Sequence, residues 1–226
     1  MTDKIIKYAE SRRKYIVYRP GEIIFHQGDA AREFYYLKSG MSLTYTLTED
    51  GRERNILISW PKRLFGASTF FEGHPRRASA IALKTCRVLK FDRALYDECR
   101  EKFPSFDRFL IDEMAQDIGV LFEQLVDSHL LSSDVKVARF ICRRLVHGQY
   151  TEKGASLVLD YTQTFIAVVL GLSRWSVNQS LSAMKKKGWV ETGHGKLTVL
   201  APEKIREFAY NSVSEKLISQ DPEMIE

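Results

Sequence analysis

Four side chains that can contact nucleobases lie close together in the C-terminal third of the chain. They are Arg174, Trp175, Asn178 and Gln179. Asn178 lies three positions after Trp175 and four after Arg174, and Gln179 lies four after Trp175. This spacing places side chains on one face of a helix. Arginine, asparagine and glutamine carry the hydrogen-bonding groups that match guanine and adenine edges in the major groove. The pattern predicts a helix whose outer face reads DNA.

The flanking residues predict a helix-turn-helix from Thr162 to Gly188. Thr162 and Ser173 are residue types that cap helix N-termini, and each precedes a segment with helical apolar spacing. Gly171 lies between the two helices and can adopt the left-handed conformation of a tight turn. Residues 191–199 follow as a predicted β-hairpin, so the motif is expected to be a winged helix-turn-helix.

Basic residues around this motif are expected to contact phosphates, which position a protein on DNA without reading sequence. Residues 134–200 contain ten Lys/Arg and four Asp/Glu, a surplus of six in a chain whose net charge is +5. The alternative is an ordinary solvated basic face. Besides the four residues of the predicted reading face, the expected DNA-binding residues are Thr162, Ser173, Lys185, Lys186 and Lys196.

The middle of the chain predicts one long helix over residues 105–131. Its apolar residues alternate at spacings of three and four, as in a coiled-coil seam. They are Ile111, Met114, Ile118, Leu121 and Leu125. A second copy of the same helix is the simplest partner, and packing against the β-rich part of the same chain is the alternative.

The N-terminal part, residues 1–104, is rich in short apolar runs separated by turn signals, which indicates an antiparallel sandwich or barrel. Ser39-Gly40 and Asp50-Gly51 are two of the predicted turns. Residues 132–226 follow the long helix and contain the winged motif. The fold class is therefore α+β, with a β domain, a helix and a C-terminal helical domain.

Composition excludes several other classes of protein. The chain has 226 residues, 44% hydrophobic and 28% charged, which is a globular balance. Cys86, Cys99 and Cys142 have no CxxC spacing, and the N-terminus has no apolar core typical of a signal peptide. No segment approaches the length of a membrane span. We expect a cytoplasmic protein that does not enter the membrane.

At this point the chain resembles the CRP/FNR family, the cyclic-AMP receptor protein and its relatives, over nearly its whole length. The matching motifs are PGEIIFHQGD at 20–29, FYYLKSG at 34–40, DGRE at 50–53 and LGLSR at 170–174. The resemblance implies an N-terminal β-roll that binds an effector, a long dimerisation helix and a C-terminal winged helix. It also implies a homodimer on a near-palindromic DNA site, with RNA polymerase as a further partner.

The segment that resembles the family's phosphate cassette departs from the cyclic-AMP pattern. Gly66 and Arg77 match it, but Ala67 replaces the glutamate and Ala78 the serine of the cyclic-AMP binders. We therefore expect an effector other than cyclic AMP. The expected effector-binding residues are Gly66, Ala67, Ser68, Arg76, Arg77 and Gln124. For Arg76 and Arg77, an exposed pair at the end of a loop is the alternative.

Other sensor chemistries and enzymes fit the sequence less well. An iron–sulfur cluster needs four thiolates, and the chain has three cysteines. The cassette has neither the histidine nor the cysteine that a haem sensor would need. A cupin-type enzyme needs a clustered metal triad, whereas the β part has only His26 and His74. We expect no metal and no catalytic site; a ligand-independent or thiol-responsive regulator remains an alternative.

Overall fold

The computed structural model describes residues 2–51, 53–146, 148, 150–153 and 156–218. The chain forms two compact units, and the division falls between Gln124 and Leu125. The first unit consists of α1 (Thr2–Arg12), β1 (Ile16–Tyr18), β2 (Ile23–Phe25), β3 (Glu33–Leu47), β4 (Glu53–Ser59), β5 (Arg63–Phe65), α2 (Ala67–Glu72), β6 (Ser79–Asp92) and α3 (Arg93–Lys102). Helix α4 (Phe106–Leu130) begins in this unit and continues past the division. Within the DGRE motif, Arg52 is outside the described residues.

The strands of the first unit form one antiparallel sheet in the order β1-β6-β3-β4, with β2 paired to β6 and β5 to β3. This is the expected antiparallel β-roll. Strands β3 and β6 pair along almost their entire length, from Glu33 opposite Asp92 to Tyr45 opposite Ser79. They therefore form the frame to which the shorter strands attach.

The prediction of a turn at Ser39-Gly40 is wrong, because β3 continues through these residues. Gly40 has a φ of 96° at an irregularity in the register between β3 and β6. A Cβ at this position would clash with the carbonyl oxygen of Thr85 and would lie 2.7 Å from the Cα of Cys86. Glycine therefore allows a bulge and a close strand approach instead of a chain reversal.

Helices α1 and α3 were not part of the sequence prediction. Both pack against an aromatic core in which the rings of Phe34 and Phe91 stack at 5.0 Å. Helix α1 buries Ile5 and Ile6 in this core. Its few apolar residues lie in a charged segment, and the helix is stabilised by packing more than by local propensity.

Arg63 of β5 joins the sheet to the first half of α4. Its guanidinium donates to Glu113 at 2.8 Å, to Gln116 at 2.8 Å and to Asp117 at 2.9 Å. Glu113 also accepts from the backbone N–H of Leu64 at 2.9 Å. Burial raises the pKa of Asp117 to about 6, although Arg63 acts in the opposite direction.

The second unit contains the end of α4 and the elements that follow it. They are α5 (Ser133–Val146), β7 (Thr151–Lys153), β8 (Ser156–Leu159), α6 (Gln163–Leu170), α7 (Arg174–Lys186), β9 (Val190–Gly193), β10 (Lys196–Val199) and α8 (Pro202–Ile218). The strands form an antiparallel sheet in the order β7-β8-β10-β9. Helices α5, α6, α7 and α8 contribute to one apolar core, which includes Ile141, Ile166, Leu181 and Ile205.

A buried ion pair network holds the end of α4 against α5 in this unit. The carboxylate of Asp127 accepts from Arg139 at 2.6 Å and from Arg143 at 2.9 Å. Arg139 also donates to the carbonyl oxygen of Ala209 in α8 at 3.1 Å. These two arginines were counted in the basic surplus from which the sequence analysis inferred a polyanion partner, although neither was predicted as a site residue. They are structural, because their charges are directed into the unit.

No helix in the part of the chain that the structure describes is both long enough and apolar enough to cross a membrane. In the same residues, no group of three or more His, Cys, Asp or Glu side chains is arranged to hold a metal ion.

Candidate functional site

Two N-caps and a glycine turn fix the geometry of the helix-turn-helix. The hydroxyl of Thr162 accepts from the backbone N–H of Phe165 at 3.0 Å and begins α6. Gly171 ends α6 in the left-handed region, at a φ of 61°. The hydroxyl of Ser173 then accepts from the N–H of Ser176 at 3.0 Å and begins α7. The local sequence thus sets the start of each helix, as expected.

One side of α7 is buried and the other is exposed. Val177, Leu181 and Met184 lie in the core of the second unit. Ser180 is also buried, and its hydroxyl is satisfied by donating to the carbonyl oxygen of Ser176 at 3.0 Å. The predicted base-reading residues Arg174, Trp175, Asn178 and Gln179 are all exposed.

Trp175 is the most unusual residue of this exposed face, because 70% of its surface is accessible. It lines an open concavity of about 320 Å³ together with Arg174, Asn178 and Gln163. Gln163, the first residue of α6, donates from Nε2 to Oδ1 of Asn178 at 3.2 Å. The sequence analysis did not identify Gln163; its polar side chain directly after the Thr162 cap was the available signal.

The predicted phosphate-binding residues lie at the edges of the same motif. Lys185 and Lys186 are exposed in the last turn of α7, and Lys196 is exposed at the start of β10. Lys187 has a different environment, because its ammonium lies 4.6 Å from the ring centre of Trp189. The positive charges at the end of α7 are therefore not equivalent.

Arg76 is the central residue of the cassette in the first unit. It is only 3% exposed, so the alternative of an exposed arginine pair is wrong for this residue. Its guanidinium donates to the carbonyl oxygen of Gly66 at 2.5 Å. It also donates to the carbonyl oxygen of Glu33 and to the hydroxyl of Thr69. It also lies over the ring of Phe25, with Cζ 4.3 Å from the ring centre. Burial lowers the pKa of Arg76.

The other predicted effector residues do not converge on this guanidinium. Arg77 is exposed and forms an ion pair with Glu72 at 2.5 Å. Ser68 is exposed, Ala67 is buried in the core, and Gln124 is partly exposed on α4. Only Gly66 contacts Arg76 directly; a Cβ at Gly66 would lie 2.9 Å from the Arg76 Nη1.

An apolar stripe is exposed along α4. Ile111, Ile118, Leu121 and Leu125 are between 39% and 67% exposed, and Met114 is partly exposed. Phe122, four residues after Ile118, extends the stripe and is 66% exposed. It was not among the predicted interface residues, although its i+4 spacing from Ile118 was visible in the sequence.

The three cysteines are buried thiols. Burial raises the pKa of each, and that of Cys99 rises to about 11. A thiol is reactive as its thiolate, so these environments disfavour oxidation.

Comparisons with known proteins identify both parts of the chain. Residues 15–102 match the Cyclic nucleotide-binding domain family, and residues 135–208 match the Crp-like helix-turn-helix domain family. The CRP-like cAMP-activated global transcriptional regulator of Mycobacterium tuberculosis is 28% identical over 75% of this chain and 76% of its own length. The Cyclic AMP receptor protein of Thermus thermophilus is 26% identical over 92% of each chain.

A solved structure supports the fold over most of the chain. FixK2 from Bradyrhizobium japonicum has a TM-score of 0.73 and 19% identity, covering 86% of this chain and 96% of that one. The β-roll and the winged helix-turn-helix together define a DNA-binding transcription regulator. The chain belongs to the CRP/FNR family. Its relatives are transcription regulators and not enzymes.

Proposed function

We propose that the chain regulates transcription by binding a near-palindromic site in double-stranded DNA as a homodimer, with α7 in the major groove. The observation that carries this proposal is the exposed face of α7, which presents Arg174, Trp175, Asn178 and Gln179 from a helix held by its buried side. Two such helices in a dimer enter successive major grooves about 34 Å apart.

Phosphate contacts at both edges of the motif complete the proposed interface. Lys185, Lys186 and Lys196 supply charge. The hydroxyl of Thr162 accepts from a backbone N–H and has a hydrogen to donate to a phosphate oxygen. The hydroxyl of Ser173 accepts from a backbone N–H and shares a hydrogen bond of 2.9 Å with the hydroxyl of Ser176, so the two serine hydroxyls together offer one hydrogen to a phosphate oxygen. Removing one of these lysines should weaken binding to all sequences and reduce its salt dependence.

The proposed dimer forms through the apolar stripe of α4. A continuous row of exposed aliphatic and aromatic side chains on a helix is energetically unfavourable in water, and a second copy of the helix covers it. From the family resemblance we also propose RNA polymerase as a partner and the cytoplasm as the location.

We propose a small-molecule effector other than cyclic AMP, bound between the β-roll and α4. Ala67 and Ala78 lack the groups that hold the ribose and the phosphate in the cyclic-AMP pattern, and Arg77 pairs with Glu72. A second candidate is a regulator that needs no ligand. It is favoured by Arg76, whose guanidinium is already bound by groups of the β-roll.

Arg174→Ala tests the DNA-binding proposal. The wild-type chain first selects its site from a randomised duplex library, and fluorescence anisotropy then measures affinity for that site. We expect Arg174→Ala to weaken specific binding between about fivefold and about 150-fold, because a bidentate arginine contact contributes about 1–3 kcal/mol of discrimination. Arg93→Ala, which removes an exposed arginine at the start of α3 in the first unit, serves as the control. Equal affinities for wild type and Arg174→Ala would contradict the proposal.

Calorimetric titration with cyclic AMP tests the effector proposal. We expect no binding at micromolar concentrations and no change in DNA affinity. Micromolar binding would refute the exclusion of cyclic AMP and leave the DNA-binding proposal intact.

A further inference from the structure

Gln163 joins the first helix of the motif to the exposed face of the recognition helix. Its Nε2 donates to Oδ1 of Asn178 at 3.2 Å. Both residues line the concavity that also contains Arg174 and Trp175. Gln163 is partly buried, and it lies at the N-terminus of α6, whose position is set by the Thr162 cap. The contact therefore connects an exposed base-reading side chain to a fixed part of the scaffold.

The direction of this hydrogen bond determines what Asn178 offers to DNA. An asparagine amide carries its oxygen and its NH₂ group on opposite sides of Cγ. When Oδ1 points toward Gln163, Nδ2 points away from α6, and an approaching base meets N–H donors. An amide without this contact can rotate, so that either group faces the base.

We propose that Gln163 is a specificity-determining positioning residue, which holds Asn178 as a hydrogen-bond donor and so selects a keto base. This inference rests on the proposed DNA-binding function and specifies how its site is read. In the major groove guanine O6 and thymine O4 are acceptors, whereas adenine N6 and cytosine N4 are donors. An outward Nδ2 bonds O6 or N7 of guanine and O4 of thymine. On adenine it can bond only N7, and with Oδ1 turned toward Gln163 the bidentate contact to N6 is lost; cytosine offers it no acceptor.

Gln163→Glu provides a stringent test because it reverses the direction of the contact. A carboxylate only accepts, so Asn178 must turn Nδ2 toward Glu and Oδ1 toward the DNA. The preference at the base that Asn178 contacts should then change from keto to amino. The added negative charge weakens binding to every sequence, but it cancels in the ratio of keto to amino affinities.

Two further variants separate positioning from charge and from local packing. Thr164→Glu adds the same charge at the next residue of α6, where the side chain is exposed, and should weaken binding without changing the ratio. Gln163→Lys keeps a donor opposite Oδ1 and should retain the keto preference. Circular dichroism and sedimentation check that every variant is folded and has the same oligomeric state.

The experiment begins with selection from a randomised duplex library by wild type and by Asn178→Ala. The base position whose preference disappears in Asn178→Ala is the one that Asn178 contacts. Duplexes with each of the four bases at that position are then titrated with each variant. We expect a keto preference of about tenfold for wild type, a loss to about twofold for Gln163→Ala, and a reversal for Gln163→Glu.

The outcomes distinguish the inference from the function on which it rests. A wild-type chain that enriches no sequence refutes the proposed function itself. If the wild-type chain selects a site but Gln163→Glu changes the ratio of keto to amino affinities by less than about twofold, the role of Gln163 is refuted and the proposed function stands. The inference is also overturned by an amino preference in wild type, by Asn178→Ala altering no base position, or by Thr164→Glu reversing the ratio equally.

Discussion

Replacing Asp127 with alanine removes the carboxylate that compensates two enclosed arginines in the second unit. The Asp127 side chain is 10% exposed, that of Arg139 is 11% exposed and that of Arg143 is 21% exposed. The two hydrogen bonds, at 2.6 Å and 2.9 Å, go to different carboxylate oxygens. The variant therefore leaves two positive charges close together in a poorly solvated environment.

The expected loss follows from this burial. Removing one partner of a buried ion pair costs about 3–5 kcal/mol, because the remaining charge has lost water without gaining a counterion. Arg143 is exposed enough to recover some hydration, and Arg139 keeps its bond to the carbonyl oxygen of Ala209. We therefore expect the lower end, about 3 kcal/mol of unfolding free energy. Asp127→Asn keeps the shape and loses the charge, so it should fall between wild type and Asp127→Ala.

Urea unfolding followed by tryptophan fluorescence measures this loss. Trp189 packs against the core of the second unit, and a shared Trp60→Phe background removes the tryptophan of the first unit. With a slope of about 1.5 kcal/mol per molar urea for a unit of this size, the midpoint should fall by about 2 M. The control is Glu203→Ala, which removes an exposed pair at 3.5 Å and should change nothing measurable. The reasoning is refuted if Asp127→Ala shifts the midpoint no more than Glu203→Ala does.

Three further predictions concern the dimer, a buried acid and the thiols. Leu121→Glu should convert the dimer to monomers in sedimentation velocity, while Val120→Glu, on the opposite side of α4, should leave it intact; a dimer in both variants would contradict the stripe as interface. The pKa of Asp117 is raised to about 6 in the folded chain. The folded state therefore binds more protons than the unfolded state, and the contribution of Asp117 to stability falls as pH rises from about 4 to about 6. Asp117→Asn should therefore gain about 1 kcal/mol relative to wild type between pH 4 and pH 7.5 in urea unfolding, and an equal difference at both pH values would contradict this. A thiol reagent such as DTNB should modify the native chain slowly and all three cysteines rapidly in denaturant; a fast native reaction would favour the thiol-responsive alternative.

The helix-turn-helix was predictable because the residues that specify it act on neighbours a few positions away in the sequence. Side-chain caps act within three residues, and a left-handed turn requires a glycine at one position. Thr162, Ser173 and Gly171 therefore specify the two helices wherever the rest of the chain lies. The β-hairpin of residues 190–199 follows from similarly short-range turn chemistry.

The course of the long strands was less predictable. Glycine in a strand-like segment indicates either a turn or a bulge, and Gly40 was interpreted as a turn. The neighbouring strand decides between them, because β6 passes so close to Gly40 that no Cβ can be accommodated. That proximity depends on residues more than 40 positions away along the chain.

By itself, the amino-acid sequence determined the class of this protein: its order of domains, its capped recognition helix and the apolar stripe of its long helix. These features repeat over a few residues or lie side by side along the chain, so periodicity and capping reveal them. Only the tertiary structure decided the environments of individual polar groups. It turned Arg76 into the β-roll, directed Arg139 and Arg143 to Asp127, and brought Gln163 to Asn178. The physical reason is that a charge or an amide takes its role from the partners that folding places within about 3 Å of it.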